Sequence, residues 1–291
     1  MIKPNFFIVG QTRSGTTTLY HHLRQHPEVF IVHTGSGFTP QFFGMFPTVK
    51  TEEEYLKIYS DVKNEKVIGE KNTDTLIDLE SAKQIHQLYP DAKIIINLRN
   101  PIDVMLSVHN LMVNAAAVEK ITDFEEALDA EKTRTVEELK NPGTYNPFLF
   151  YRKIARYVDQ VQKYVDIFGL KKIHIQIFDD FKKDPVLEFQ KICRFLEIDD
   201  TFVPVIEHYN KRRTSRSKTL QSLVNKTGRT RFRKIVRKVP KIQNAYNLIN
   251  RPYANKDQIS DALKEKLKKE LKPEIEALGE LIGRDLSFWY K

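Results

Sequence analysis

Residues 5–23 read NFFIVGQTRSGTTTLYHHL, an apolar run followed at once by a glycine-spaced turn and a helical pattern. No other segment restricts the fold as much. Phe6 to Val9 suit a short buried strand, Gly10 and Gly15 relax the backbone, and Thr16 to His26 continue at helical spacing. Such a turn aims backbone N–H groups and a helix N-terminus at one point, which suits an anion. The spacing Gly10-x-x-x-x-Gly15-Thr16-Thr17 is that of a nucleoside-triphosphate loop, with Thr16 at the position of the phosphate-binding lysine. The cation has moved inside the loop, to Arg13. This predicts a cradle for a nucleotide 5′-phosphate in which Arg13 neutralises charge on a leaving group, and one poorly built for cleaving ATP.

A second segment points to the same place. Ala92 to Leu98 is a β-branched run that suits a fully buried strand, and it ends in Arg99-Asn100-Pro101 with a helix from Ile102 to about Val113. Arg99 at the strand's end and Ser107 about two helical turns further on suggest a second phosphate site, at the edge where open α/β sheets bind ligands. Further strands are expected at Val29–Val32, Lys66–Gly69 and Ile173–Phe178. Helices are expected after a Thr51/Glu54 capping box, at Asp78–Leu88, from a Thr122/Glu125 cap to about Lys140, at helical spacing over Phe148–Phe168, from an Asp184 cap with Pro185 to Leu196, and over Gln258–Ile282 with an interruption at Pro273. Alternating strands and helices predict an α/β fold: a mostly parallel central sheet with helices on both faces, P-loop NTPase-like, with a helical C-terminal part. Residues 1–291 are expected to form one domain whose basic, mainly helical segment begins at about 208.

These motifs resemble the sulfotransferases that use 3′-phosphoadenosine 5′-phosphosulfate, over most of the chain. Gln11 to Thr17 resembles the family's 5′-phosphosulfate loop, and Arg99-Asn100-Pro101 with Ser107 resembles its 3′-phosphate motif. The run QIFDDFKKDPVLEFQKICRFLEI, ending at Ile198, and the closing GRDLSFW, ending at Trp289, are also similar to family segments. The resemblance implies donor binding by Arg13, Ser14, Gly15, Thr16, Thr17, Arg99 and Ser107, with Arg13 serving the leaving group. Gly69-Glu70-Lys71-Asn72-Thr73 resembles the Glu-Lys-Thr-Pro segment of the heparan-sulfate-type branch, which implies Lys71 at the transfer centre; Asp74 replaces the proline. That branch often carries its base in a Glu-Pro-x-Phe-Phe segment, where this chain has Thr39-Pro40-Gln41-Phe42-Phe43. Glu70 and His33, each just after an expected strand, are then the candidate bases. Arg212, Arg213 and Arg216 follow the position of a loop that closes over the 3′-phosphate, and are expected donor contacts as a group.

The chain has 291 residues and a formal charge of +9. No Asp or Glu occurs between Glu207 and Asp257, a window rich in Lys and Arg. It could meet the donor, an acidic acceptor or a membrane surface. Its sparse aromatics argue against nucleic acid. Cys193 is the sole cysteine, which excludes an internal disulfide and predicts no metal site; its setting suits a core residue. No apolar run approaches the ~20 residues of a membrane span, and the immediate entry into a strand predicts no signal peptide and a cytoplasmic location. The acceptor stays open between a carbohydrate, a lipid and another small molecule: phenylalanines 38, 42, 43 and 46 suit a lipid or phenol, the basic block an acidic saccharide. Oligomeric state is open too. The competing readings are a nucleotide kinase or NTPase and a non-catalytic module that binds an anionic polymer.

Overall fold

The computed structural model describes residues 2–32, 41–116, 118–134, 147–206 and 259–291. The apolar runs become β1 (Phe6–Gly10), β2 (Val29–Ile31), β3 (Val67–Lys71), β4 (Lys93–Leu98) and β5 (Ile173–Ile177). They form one sheet in the order β2-β3-β1-β4-β5, every pair parallel. The chain leaves β3 on one side of β1 and returns as β4 on the other. Such a change of side opens a crevice at the carboxyl end of the central strand.

The helices are α1 (Thr16–Leu23), α2 (Glu52–Lys57), α3 (Ser81–Leu88), α4 (Pro101–Asn110), α5 (Phe124–Ala130), α6 (Tyr151–Ala155), α7 (Tyr157–Phe168), α8 (Phe178–Lys183), α9 (Pro185–Leu196) and α10 (Asp261–Ile282). The sheet register aligns Phe6 with Gly69, Phe7 with Glu70 and Ile8 with Lys71, and aligned residues share a face. On one face Phe6, Ile8 and Ile95 pack with Leu19, Tyr20 and Leu23 of α1 and with Phe189, Ile192, Cys193 and Leu196 of α9. Burial pushes the Cys193 thiol up to about 12, so it behaves as a small apolar residue. On the other face the Phe7 ring meets Phe43 at 5.7 Å and Tyr89 at 5.9 Å, and Phe43 meets Tyr55 of α2 at 5.7 Å.

Several elements depart from the pattern for identifiable reasons. The cap of α5 is Asp123, accepting from the Glu126 N–H at 2.9 Å, and not Thr122; a carboxylate one residue further on suits the helix dipole better than a hydroxyl. That helix ends at Ala130, short of the expected Lys140. The helical spacing of 148–168 resolves into a 3₁₀ turn, α6 and α7, with the α7 cap at Arg156 in an extended conformation. The segment after β5 forms the short helix α8. Pro273 lies inside an unbroken α10. An internal proline costs about 3 kcal/mol, but Leu263, Leu267, Leu271, Ile275 and Leu278 bury a continuous stripe along this helix, and that burial outweighs it. Asp184 caps α9 as its sequence indicates, accepting from Leu187 N–H at 3.0 Å.

The chain packs as two compact units. The first, residues 1–105, 152–209 and 265–291, contains the whole sheet. The second comprises residues 106–151 and 210–264. The basic stretch from Glu207 to Asp257 lies outside the described residues. Within the second unit, the Glu119 carboxylate accepts from Arg134 at 2.6 Å, from the Tyr151 hydroxyl at 2.8 Å and from the Lys120 and Ile121 N–H groups at 2.9 and 3.1 Å. Burial would raise the Glu119 pKa, but these hydrogen bonds and the Arg134 charge hold it below the usual carboxylate range. Arg134→Met removes the countercharge from a buried carboxylate. It is expected to destabilise this unit by about 3 kcal/mol, measured by urea unfolding near neutral pH, with amide exchange locating the loss in residues 118–134.

Candidate functional site

The turn after β1 is held from both sides. The Gln11 N–H donates to the Asn97 carbonyl of β4 at 2.5 Å, and its side-chain Nε2 donates to the Ile154 carbonyl at 3.0 Å and to Gln160 Oε1 at 3.2 Å. Gln11 Oε1 accepts from the Thr12 N–H at 2.7 Å. Arg13 and Gly15 both have left-handed backbones, φ 65° and 87°. Glycine carries this freely, whereas Arg13 pays roughly 1–2 kcal/mol for it. Gly15 is also confined: a Cβ there would lie 2.8 Å from Phe178 Cδ2.

The turn fits an anion on two observations. Gly15 caps α1 without a side-chain hydrogen bond, and the first turn has no acidic residue, which leaves the N-terminal N–H groups directed at the loop. The Ser14 hydroxyl is fully buried and has no hydrogen-bond partner among the described residues. Thr16 is buried and Thr17 half-buried on the first turn of the helix.

Arg99 comes to the same place from β4. Its Nη1 donates to the Arg13 carbonyl at 3.4 Å, and its Nε and Nη2 donate to Asp103 Oδ2 at 3.2 and 2.7 Å. The guanidinium carbon sits 4.8 Å from the centre of the Phe178 ring. Phe178 therefore lies against both Gly15 and Arg99 and ties the two motifs together. Of the five N–H donors on a guanidinium, those not committed to Asp103 and Arg13 remain for a ligand; the side chain is 19% exposed. The C-terminal turn braces this corner. Asn100 Nδ2 donates to the Trp289 carbonyl at 3.0 Å, Trp289 Nε1 donates to Asp179 at 2.9 Å, and the Tyr157 hydroxyl donates to the Arg99 carbonyl at 3.0 Å.

Lys71 ends β3, next to β1 in the sheet. Its ammonium lies 5.5 Å from the centre of the Tyr20 ring of α1, and burial lowers its pKa from the ordinary lysine value while Asp74 opposes the shift. Glu70, expected as one of two candidate bases, is turned away. It aligns with Phe7, on the opposite face of the sheet from Lys71, and is 1% exposed. A carboxyl enclosed there does not reach an acceptor at the strand's end. Burial pushes its pKa up to about 8, with the nearby Tyr55 hydroxyl opposing the shift, and neither carboxyl oxygen has a hydrogen-bond partner among the described residues. The sequence pattern placed Glu70 just beyond the strand. The observed strand runs two residues further, and strand alternation then sends it into the core.

Ser107 is buried in the part of α4 that belongs to the second unit. His33, Thr39, Arg212, Arg213 and Arg216 lie outside the described residues, as does Phe38. The other expected acceptor-facing aromatics divide: Phe43 is core, Phe42 stacks on Tyr55 at 4.9 Å, and Phe46 is exposed. The sequence reading assigned no role to Phe178, Tyr157 or the Gln11 side chain. Phe178 was visible only as the last residue of an apolar strand, and its contact with Gly15 depends on the parallel placement of β5 beside β4.

The chain belongs to the sulfotransferase domain family, whose sequence profile matches residues 3–241. A solved sulfotransferase from Alicyclobacillus acidocaldarius is similar over 100% of both chains, at 26% identity and a TM-score of 0.73. Among curated relatives, a bifunctional heparan sulfate N-deacetylase/N-sulfotransferase 1 of Caenorhabditis briggsae is 26% identical over 68% of this chain and 23% of its own length. A human heparan sulfate glucosamine 3-O-sulfotransferase 6 is 31% identical over 36% of this chain and 29% of its own. The chain thus spans less than a third of either relative. Membership sets aside the kinase reading, in keeping with Thr16 in the loop and Arg99 at the end of β4. Among the described residues no helix is long and apolar enough to cross a membrane, and no group of His, Cys, Asp and Glu could hold a metal ion.

The buried Glu70 carries a pH signature. Its folded pKa is raised, so between the ordinary carboxylate value and about pH 8 the folded chain keeps a proton that the unfolded chain has lost, and stability falls as pH rises through that window. Glu70→Gln is expected to match the parent near pH 5 and to exceed it by roughly 2–4 kcal/mol near pH 8, measured by urea unfolding at both pH values.

Proposed function

We propose that this sulfotransferase takes its sulfuryl group from 3′-phosphoadenosine 5′-phosphosulfate and passes it in line to a hydroxyl or amine of a carbohydrate. One observation carries the donor assignment: the Arg99 guanidinium reaches the Arg13 carbonyl at 3.4 Å, so the second cationic motif stands beside the first at one edge of the sheet. A nucleotide with phosphates at both its 5′ and 3′ positions presents two anions to such an edge. The carbohydrate acceptor is supported by the similarity to heparan sulfate sulfotransferases. The family profile spans parts of both compact units, which supports one sulfotransferase domain over the whole chain.

In this reading Ser14, Gly15, Thr16 and Thr17 hold the 5′-phosphosulfate through loop and helix N–H groups and the threonine hydroxyls. Arg13 meets the negative charge that builds on the 5′-phosphate as the sulfur–oxygen bond breaks. Arg99 binds the 3′-phosphate. Lys71, desolvated and therefore a stronger electrostatic partner, stabilises the sulfuryl oxygens. The test pairs labelled-donor assays on a panel of desulfated glycans, alcohols and phenols with calorimetry on Arg99→Ala. That substitution is expected to weaken adenosine 3′,5′-bisphosphate by about 2 kcal/mol and adenosine 5′-phosphosulfate by less than threefold. Equal weakening of both ligands contradicts the 3′-phosphate assignment.

A further inference from the structure

We propose that Asp74 is the base that takes the acceptor's proton, an inference that rests on the sulfuryl-transfer reading above. With Glu70 enclosed on the far face, Asp74 is the carboxylate that the described residues place beside Lys71. It sits in the loop after β3, and that loop is fastened to the end of β1 just before the phosphate turn. Asn72 N–H donates to the Ile8 carbonyl at 2.9 Å, Leu76 N–H to the Val9 carbonyl at 2.9 Å, and the Thr75 hydroxyl to the same Val9 carbonyl at 3.1 Å.

The carboxylate is aimed as well as anchored. Asn72 Oδ1 accepts from the Asp74 N–H at 3.1 Å and from Gln41 Nε2 at 3.1 Å, while Asn72 Nδ2 donates to the Phe43 carbonyl at 2.8 Å. Gln41 Nε2 also donates to Asp74 Oδ2 at 3.4 Å. Asp74 Oδ1 accepts no hydrogen bond among the described residues, and the residue is half-buried rather than enclosed. Four influences act on its charge: burial and the neighbouring Asp78 favour the protonated acid, whereas the Gln41 amide and Lys71 favour the carboxylate. Burial is the largest of these effects and holds the carboxyl above its ordinary value, nearer to a working pH where it can accept a proton in earnest. Burial thus acts on both Lys71 and Asp74, and the charge of each opposes the other's shift.

In the transfer step the acceptor's O–H or N–H proton moves to Asp74 Oδ1 while the acceptor lone pair forms the new bond to sulfur. The bond from sulfur to the 5′-phosphate oxygen breaks, and its electron pair stays on that phosphate, facing Arg13. Protonated Asp74 then releases its proton to water.

Asp74→Asn and Asp74→Glu in the full chain provide the test, with ³⁵S-labelled donor and three probe acceptors: an N-desulfated heparan oligosaccharide, a simple phenol, and water read as released sulfate. Asp74→Asn is expected to lower kcat about 10²-fold or more and to erase the acid limb of its pH profile, with adenosine 3′,5′-bisphosphate affinity kept within twofold. Asp74→Glu is expected to recover at least tenfold of the loss together with the acid limb. Two results overturn the proposal: kcat within threefold of the parent with the acid limb intact, or parallel losses of kcat and bisphosphate affinity that glutamate does not repair. A parent chain that neither binds the bisphosphate nor releases label from any probe overturns the sulfuryl-donor reading itself, and this proposal with it.

Discussion

The contact on which the site depends is the Arg99 guanidinium, clasped by Asp103, laid over Phe178 and joined to the Arg13 carbonyl. It closes the gap between two turns that are 86 residues apart in sequence. A guanidinium is suited to this because it is planar, permanently charged and rich in directed donors, so it can bind structure with one edge and a ligand with another. Phe178 fixes the plane of Arg99 and at the same time fills the space a side chain at residue 15 would need. The glycine in the loop is therefore demanded by a neighbour at the start of α8 as well as by its own φ.

The parallel sheet explains why these groups meet. Each crossover returns the chain to the same end of the sheet, so the turn after β1, Lys71 at the end of β3, Arg99 after β4 and Phe178 after β5 all emerge at one edge. The same alternation separates adjacent residues by chemistry. Lys71 faces α1 and the edge, while Glu70 faces the tyrosines behind the sheet, where its carboxyl is driven toward the neutral form. Two acidic side chains four residues apart, Glu70 and Asp74, thus end in different surroundings because one lies in the strand and the other in the loop beyond it.

Much of this was legible in the sequence. The β-branched runs at Phe6–Val9 and Ile94–Leu98 are buried strands, and the Gly10–Gly15 spacing together with Arg99-Asn100-Pro101 marked the two turns correctly as strand-to-helix junctions. Local chemistry also placed the Asp184–Pro185 cap. What escaped was non-local. The extent of β3 depends on pairing with β1, which carries the strand two residues past the end of its apolar run and turns Glu70 from the edge into the core. The unbroken α10 reflects the burial of its leucine stripe, which the isolated proline rule misses. Phe178 acts through Gly15 of the β1 turn and Arg99 at the end of β4, and the Gln11 side chain through partners brought in from α6 and α7; no local pattern announces such partners.

The most direct measurement of the central claim is calorimetric discrimination among nucleotides by the full chain. If the Arg13 and Arg99 turns form one donor site, adenosine 3′,5′-bisphosphate should bind at least tenfold more tightly than adenosine 5′-monophosphate, and more tightly than ATP with Mg²⁺. Equal affinity for the two adenosine phosphates, or preference for ATP with Mg²⁺, would contradict it.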